Sequence, residues 1–310
     1  MEAENAVAAL SGGAVLGVAT VMKLGINGNI LGISGIVNGI TVVAAKPGPR
    51  EPWLWRLTFL AGILIAGGVL RAAAPETLQP LPASMTFARV AGAGGLVGFG
   101  SSLGCGCTSG HGISGLTRFS PRSLVATMTF MAAGFITASL SASSDFFKDT
   151  PRLAPHVELP WSLVFSLGLI VLAFGFVPVV SNLASRSEQV TDMATAGTTQ
   201  SPDRPARLAT ELVVGTIFGL GLGISGMGRP EQVIMFLDVG DGNWDPTLAL
   251  VMGAALGITV PLYHFWLKTD SFTPVLNSKL DLPTKTHIDA QLVAGSMTFG
   301  IGWGLCGSCP

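Results

Sequence analysis

Long apolar runs, each interrupted by glycine and separated by short polar segments, dominate the chain. Leu24–Ala45, Val90–Gly110, Ser123–Ser144, Trp161–Ser185 and Pro246–Leu267 each lack Asp, Glu, Lys and Arg over about the 20 residues that a spanning helix needs. Trp53–Leu70, Leu212–Gly228 and Ala290–Pro310 are further candidates. The pattern predicts about eight to ten membrane-embedded helical segments, some shorter than a full span. Two polar stretches interrupt it. Ser141–Pro160 carries Asp145, Lys148, Asp149, Arg152 and Glu158, and Ser185–Arg207 is rich in Ser and Thr. The expected organisation is a first half over 1–140 with two glycine-rich repeats. A connecting loop, one transmembrane helix and a polar linker follow over 141–207. The second half, 208–310, holds a third repeat and an incomplete fourth.

Composition sharpens this reading. The 310 residues are 49% hydrophobic and 11% charged, against about 25% charged in an ordinary soluble domain. So little charge cannot cover a protein of this size in water, whereas a lipid-facing surface removes the need. The expected class is therefore an all-α, polytopic, integral membrane protein, multi-pass, with the lipid bilayer as its first partner. A net charge of −1 gives no reason to expect a nucleic-acid partner. The acidic start, Met1 to Asn5, lacks the basic region that opens a signal peptide, so the first apolar stretch is expected to belong to the mature protein.

The tetrapeptide Gly-Ile-Ser-Gly recurs at Gly32–Gly35, Gly112–Gly115 and Gly223–Gly226. In the second and third copies an arginine (Arg118, Arg229) follows three residues later, and a proline (Pro121, Pro230) soon after. Small residues alone let membrane helices pack closely. A near-identical motif in each half points further, to broken helices at matching places in pseudo-symmetric repeats, meeting at mid-membrane. Proline suits the first turn of a helix. The second and third copies are thus expected in breaks just before helices starting at Pro121 and Pro230, where free N–H groups attract anions.

The four cysteines form two close pairs in these glycine-rich regions: Cys105 and Cys107 in Gly104–His111, and Cys306 and Cys309 in Gly304–Pro310. Thiols beside open backbone suit a soft ligand, although single buried cysteines are often inert. Cys107 and His111 stand four apart, and Cys306 and Cys309 have ligand-like spacing, but the glycines argue against a regular metal-holding helix there; no metal and no cofactor is expected. A membrane thiol–disulfide or persulfide redox enzyme is the alternative, weakened by the missing βαβ context of such motifs. Asn27 stands where Cys107 stands when counted back from Gly-Ile-Ser-Gly. His264, beside Tyr263 and Trp266, suits an interfacial belt, and Asp238, Asp241 and Asp245 read as solvated loop and cap residues.

Gly104–Gly115, followed by Ser120-Pro121-Arg122-Ser123, resembles the signature of the YeeE/YedE family of sulfur-transport membrane proteins. Gly219–Val239 and Gly242–Gly253 look like its partner half, here fused to the first. The resemblance implies uptake of thiosulfate or a related small sulfur-containing anion through loops that converge from both sides of the membrane. It implies a transporter rather than an enzyme, in the plasma membrane, with a cytosolic sulfur-carrier protein as a candidate recipient. Cys107 matches the signature cysteine and Cys309 the cysteine of the C-terminal Cys-Pro motif. Gly106, Ser109, Gly110 and His111 accompany Cys107 in the expected translocation site, together with Asn27, and Cys105 and Cys306 are accessory. Two departures stand out: the first repeat has no cysteine, and the family pattern continues past Cys-Pro with another helix.

Overall fold

The computed structural model describes residues 3–45, 51–75, 85–142, 204–240, 244–269, 272–277 and 279–307. Cys309, Asp241 and the apolar run Trp161–Ser185 lie outside them. The described residues form nine α-helices and two π-helical segments, and no strand. In chain order the helices are α1 (Ala3–Asn27), α2 (Ile33–Ala45), α3 (Glu51–Ala73), α4 (Phe87–Leu103), α5 (Pro121–Ala142), α6 (Arg204–Ile224), α7 (Pro230–Leu237), α8 (Thr247–Leu262) and α9 (Ala290–Cys306). A π-helical segment, Thr108–Gly115, stands between α4 and α5, and a second, Tyr263–Leu267, prolongs α8. Among the described residues, five helical stretches are long and apolar enough to cross a bilayer: Asn5–Asn27, Trp53–Ala73, Pro121–Ser141, Arg204–Ile224 and Thr247–Leu267. The protein is a polytopic helical membrane protein.

Three predicted spans are corrected. Leu24–Ala45 is not one helix: α1 ends at Asn27, Gly28 turns the chain at φ +73°, and α2 starts only at Ile33. The turn-forming Asn27-Gly28-Asn29 breaks what the flanking aliphatics would otherwise continue. Val90–Gly110 stops at Leu103, and the π segment beyond is bent 45° from α4. Helix α6 begins at Arg204, eight residues before Leu212 and inside the expected linker. Thr210 and Glu211 near its start are both buried and bonded to Asn27 at the end of α1. Helices α5 and α7 do start at Pro121 and Pro230.

Glycine sets the packing. On α1, Gly13 and Gly17 lie against Val251 and Ala255 of α8, while Gly12 and Leu16 meet Ser225 and Gly221, so α1 runs parallel to α8 and antiparallel to α6. Gly215, Gly219 and Gly223 of α6 receive Phe59, Ile63 and Leu70 of α3. On the other side, Gly302, Gly100 and Gly295 hold α9 antiparallel to α4, and Gly300 and Gly304 hold it parallel to Phe130 and Gly134 of α5. The first repeat therefore packs with the third, and the fourth with the second. The α4–π–α5 excursion enters where α1 ends, beside Leu31 and Thr259. The α6–α7–α8 excursion enters where α1 begins, beside Gly12. The repeats are inverted, as in many transporters.

These contacts leave no room for a Cβ. Gly215→Val places methyl groups on the Phe59 carbonyl and is expected to destabilise the protein by roughly 1–3 kcal/mol. Gly257→Ala, which meets nothing within 4 Å among the described residues, is expected to be neutral or slightly stabilising. Thermal unfolding in detergent compares the two.

Candidate functional site

The turn after α4 is built around one imidazole. The Gly104 amide closes α4 onto Gly100 O at 2.9 Å, and the Gly106 amide reaches Ser101 O at 2.9 Å. Between them Cys105 takes a left-handed φ of +58° and is exposed. The His111 ring lies on Gly106, where any Cβ would overlap it. Nε2 stands 3.2 Å from the Gly104 carbonyl and Nδ1 3.0 Å from the Ser123 hydroxyl. A carbonyl only accepts, so Nε2 donates to Gly104, and Nδ1 of the neutral ring accepts from Ser123. The predicted residues Gly106 and His111 thus form the lock that folds the turn back.

Cys107 enters the π segment in an extended conformation, and its carbonyl accepts the His111 amide at 2.8 Å. π-Helical turns are rare and concentrate at functional sites. The thiol is 1% exposed and lies 3.2 Å from Ser109 Oγ, which also accepts the Ile33 amide at 3.1 Å. Ser114 donates to Leu31 O at 2.6 Å, and a Cβ on Gly32 would sit 3.5 Å from Gly110 Cα. The breaks of the first and second repeats therefore touch through Gly110, Ser109 and Ser114. Beside this junction, a narrow, largely apolar crevice is lined by Thr20, Leu24, Ile30, Leu31 and Tyr263.

Asn27 is also buried, at 1% exposure, but its amide belongs to another group. Nδ2 donates to Glu211 at 2.9 Å, and Oδ1 accepts from Thr210 at 2.9 Å. Glu211 receives Lys23 Nζ at 2.7 Å on both oxygens, and that ammonium lies 4.5 Å from the Trp55 ring centre. Sequence reasoning missed Lys23 and Glu211. Their signal was the one charge, Lys23, in the span Asn5–Asn27 and the one carboxylate, Glu211, in α6, and a charge inside a membrane marks a paired or functional residue.

Cys306 is fully buried, its thiol turned back on Gly302 O at 3.3 Å. Arg89 Nε donates to the neighbouring Leu305 carbonyl at 2.8 Å. Gly307 ends α9 at φ +62°, tight against the Pro230 carbonyl at the start of α7. Gly104 packs near the start of α9, at Gly295, and Cys306 closes its last turn, so the two cysteine regions belong to opposite ends of that helix. Cys105, Cys107 and Cys306 are free thiols.

Asp245 corrects its reading as a solvated residue. It caps α8 by accepting the Thr247 amide at 2.9 Å but is buried, with Gln232 bound at 2.9 Å on the other oxygen. Asp238 accepts the Gly240 amide at 3.3 Å, and His264 stacks on Phe119 at 4.7 Å. Asp289 caps α9 outside the spans. The Leu292 amide, then Arg122 at 3.4 Å, holds its carboxyl below the usual range.

Residues 2–137 match the sulphur transport family, and residues 206–310 match a family of unknown function, DUF6691. A protein of Xylella fastidiosa strain Temecula1, named a probable transporter, is 42% identical over 128 residues, 41% of this chain and 89% of its own length. A second probable transporter, from strain 9a5c, is 41% identical over 104 residues, 34% of this chain and 70% of its own length. No solved structure matches the chain. With inverted glycine-broken repeats, a buried thiol in one break and these relatives, the chain belongs to the sulphur transport family of membrane transporters, in its YeeE/YedE form.

Proposed function

We propose that the protein carries thiosulfate, or a closely related small sulfur-containing anion, across the plasma membrane, with Cys107 as the central contact. The observation that carries this reading is the burial of the Cys107 thiol where the first two glycine-rich breaks meet. An anion inside a bilayer needs compensating partners. Unwound backbone and helix starts offer N–H groups, and the thiol adds a soft, weak donor for the terminal sulfur. Weak contacts suit passage, because a substrate held tightly does not leave. Ser109, Gly106, Gly110 and His111 shape the Cys107 contact. Cys309 takes the anion next, with Cys306 as an accessory. Asn27 serves the site from outside by fixing the end of α1. A cytosolic sulfur-carrier protein is the proposed recipient.

The test is flux of radiolabelled thiosulfate into proteoliposomes, with sulfate and selenium-containing anions as competitors. Saturable flux that thiosulfate blocks better than sulfate is expected. Flux no faster than in empty liposomes would sink the reading.

A further inference from the structure

A serine hydroxyl has one hydrogen to give and two lone pairs to receive. The Ser109 oxygen receives the Ile33 amide at 3.1 Å. That amide is one of the first N–H groups of α2, which have no partner within the helix. The other partner of Ser109 among the described residues is the Cys107 sulfur at 3.2 Å. Either atom of that pair could donate, but the surroundings decide. If the thiol gave its hydrogen to Ser109, the serine hydrogen would be left without an acceptor among the described residues, in a side chain 7% exposed. Buried polar hydrogens rarely go unbonded. The serine therefore donates to sulfur, and the S–H is free to point onward.

We propose that Ser109 is a positioning residue that couples the amino end of α2 to the Cys107 thiol, so that donors run in one direction from Ile33 N–H through Ser109 O–H to Cys107 S–H. Each donor in such a chain polarises the next, and the helix start adds its own partial positive charge. The first repeat, which lacks a cysteine, thereby contributes to the second repeat's cysteine through its backbone. Ionisable groups nearby are otherwise engaged. His111 holds Gly104 and Ser123, Arg118 Nε donates to Ser114 O at 3.1 Å, Arg122 binds Asp289 at 3.4 Å, and from α8 His264 bonds Thr117 O at 3.1 Å. Only the last link, from thiol to anion, rests on the transport reading.

The experiment compares wild type, Ser109→Ala and Ser109→Thr as full-length protein in detergent. Iodoacetamide labelling of Cys107 at neutral pH is followed by site-resolved mass spectrometry. A donated hydroxyl also favours the sulfur anion, the form that alkylates. Ser109→Ala is expected to slow labelling of Cys107 roughly tenfold, although it opens space beside the sulfur, while Ser109→Thr stays near the wild-type rate. A merely steric role gives the reverse order, with alanine fastest, and that result overturns the proposal. In proteoliposomes, Ser109→Ala is expected to raise the apparent KM for thiosulfate. If wild type carries no thiosulfate but the labelling order holds, the coupling stands and the transport reading falls. If flux is normal and the order fails, the coupling alone falls.

Discussion

Cys107→Ala is expected to lower thiosulfate uptake by roughly 10- to 100-fold, which corresponds to losing one hydrogen bond to a charged partner in a buried site. A cysteine-requiring host fed thiosulfate should then fail to grow. The change removes one sulfur from a well-packed position and adds nothing, so the fold should survive with little loss of stability. Cys105→Ala is the informative comparison. Cys105 stands only two residues away, but its side chain is exposed and turned toward Leu103 O, and growth should remain close to normal. Cys107→Ser separates donation from softness: it keeps a donor beside Ser109 but loses the polarisable sulfur. Intermediate uptake is expected, with poorer discrimination against sulfate. Normal growth with Cys107→Ala would remove this thiol from the mechanism.

The spans and the helix starts were readable in the sequence for a physical reason. A bilayer forces every backbone group into a helix, so an uncharged run of about 20 residues has few alternatives, and α5 and α8 sit nearly where composition puts them. Pro121 and Pro230 fix their helix starts through local chemistry alone. The run Asn27-Gly28-Asn29 marked a break in the first repeat, although Leu24, Ile26, Ile30 and Leu31 make the stretch look continuous; the positive φ at Gly28 shows where α1 ends. The three Gly-Ile-Ser-Gly copies marked break regions but not their shapes. One opens α2, one lies in the π segment, and one ends α6 in a turn. Sequence placed Ser109 and His111 beside Cys107 by proximity in the chain. It could not show that His111 locks Gly104 or that Ser109 reaches Ile33, 76 residues away. The same limit hid the Lys23–Glu211 pair, whose partners are 188 residues apart.

That pair supports the second large effect. Glu211→Ala is expected to cost roughly 3–5 kcal/mol, the usual penalty for leaving the partner of a buried ion pair alone. Lys23 and Glu211 have no exposed surface, so water cannot replace the lost carboxylate. The loss also frees the Asn27 amide that Glu211 accepts from, and with it the last turn of α1 before Gly28. Arg56 lies 4.6 Å and Arg207 5.9 Å from the Trp55 ring that covers Lys23, so removing the carboxylate leaves three like charges gathered around one indole. Lys23→Met with Glu211→Leu removes both charges and keeps most of the volume, and a buried pair replaced in this way is often neutral or better. The double variant should therefore melt closer to wild type than Glu211→Ala does, by thermal unfolding in detergent. If it melts as low as the single variant, the pair stabilises the fold by more than mutual neutralisation. If Glu211→Ala melts like wild type, the carboxylate is not what holds α6 against α1.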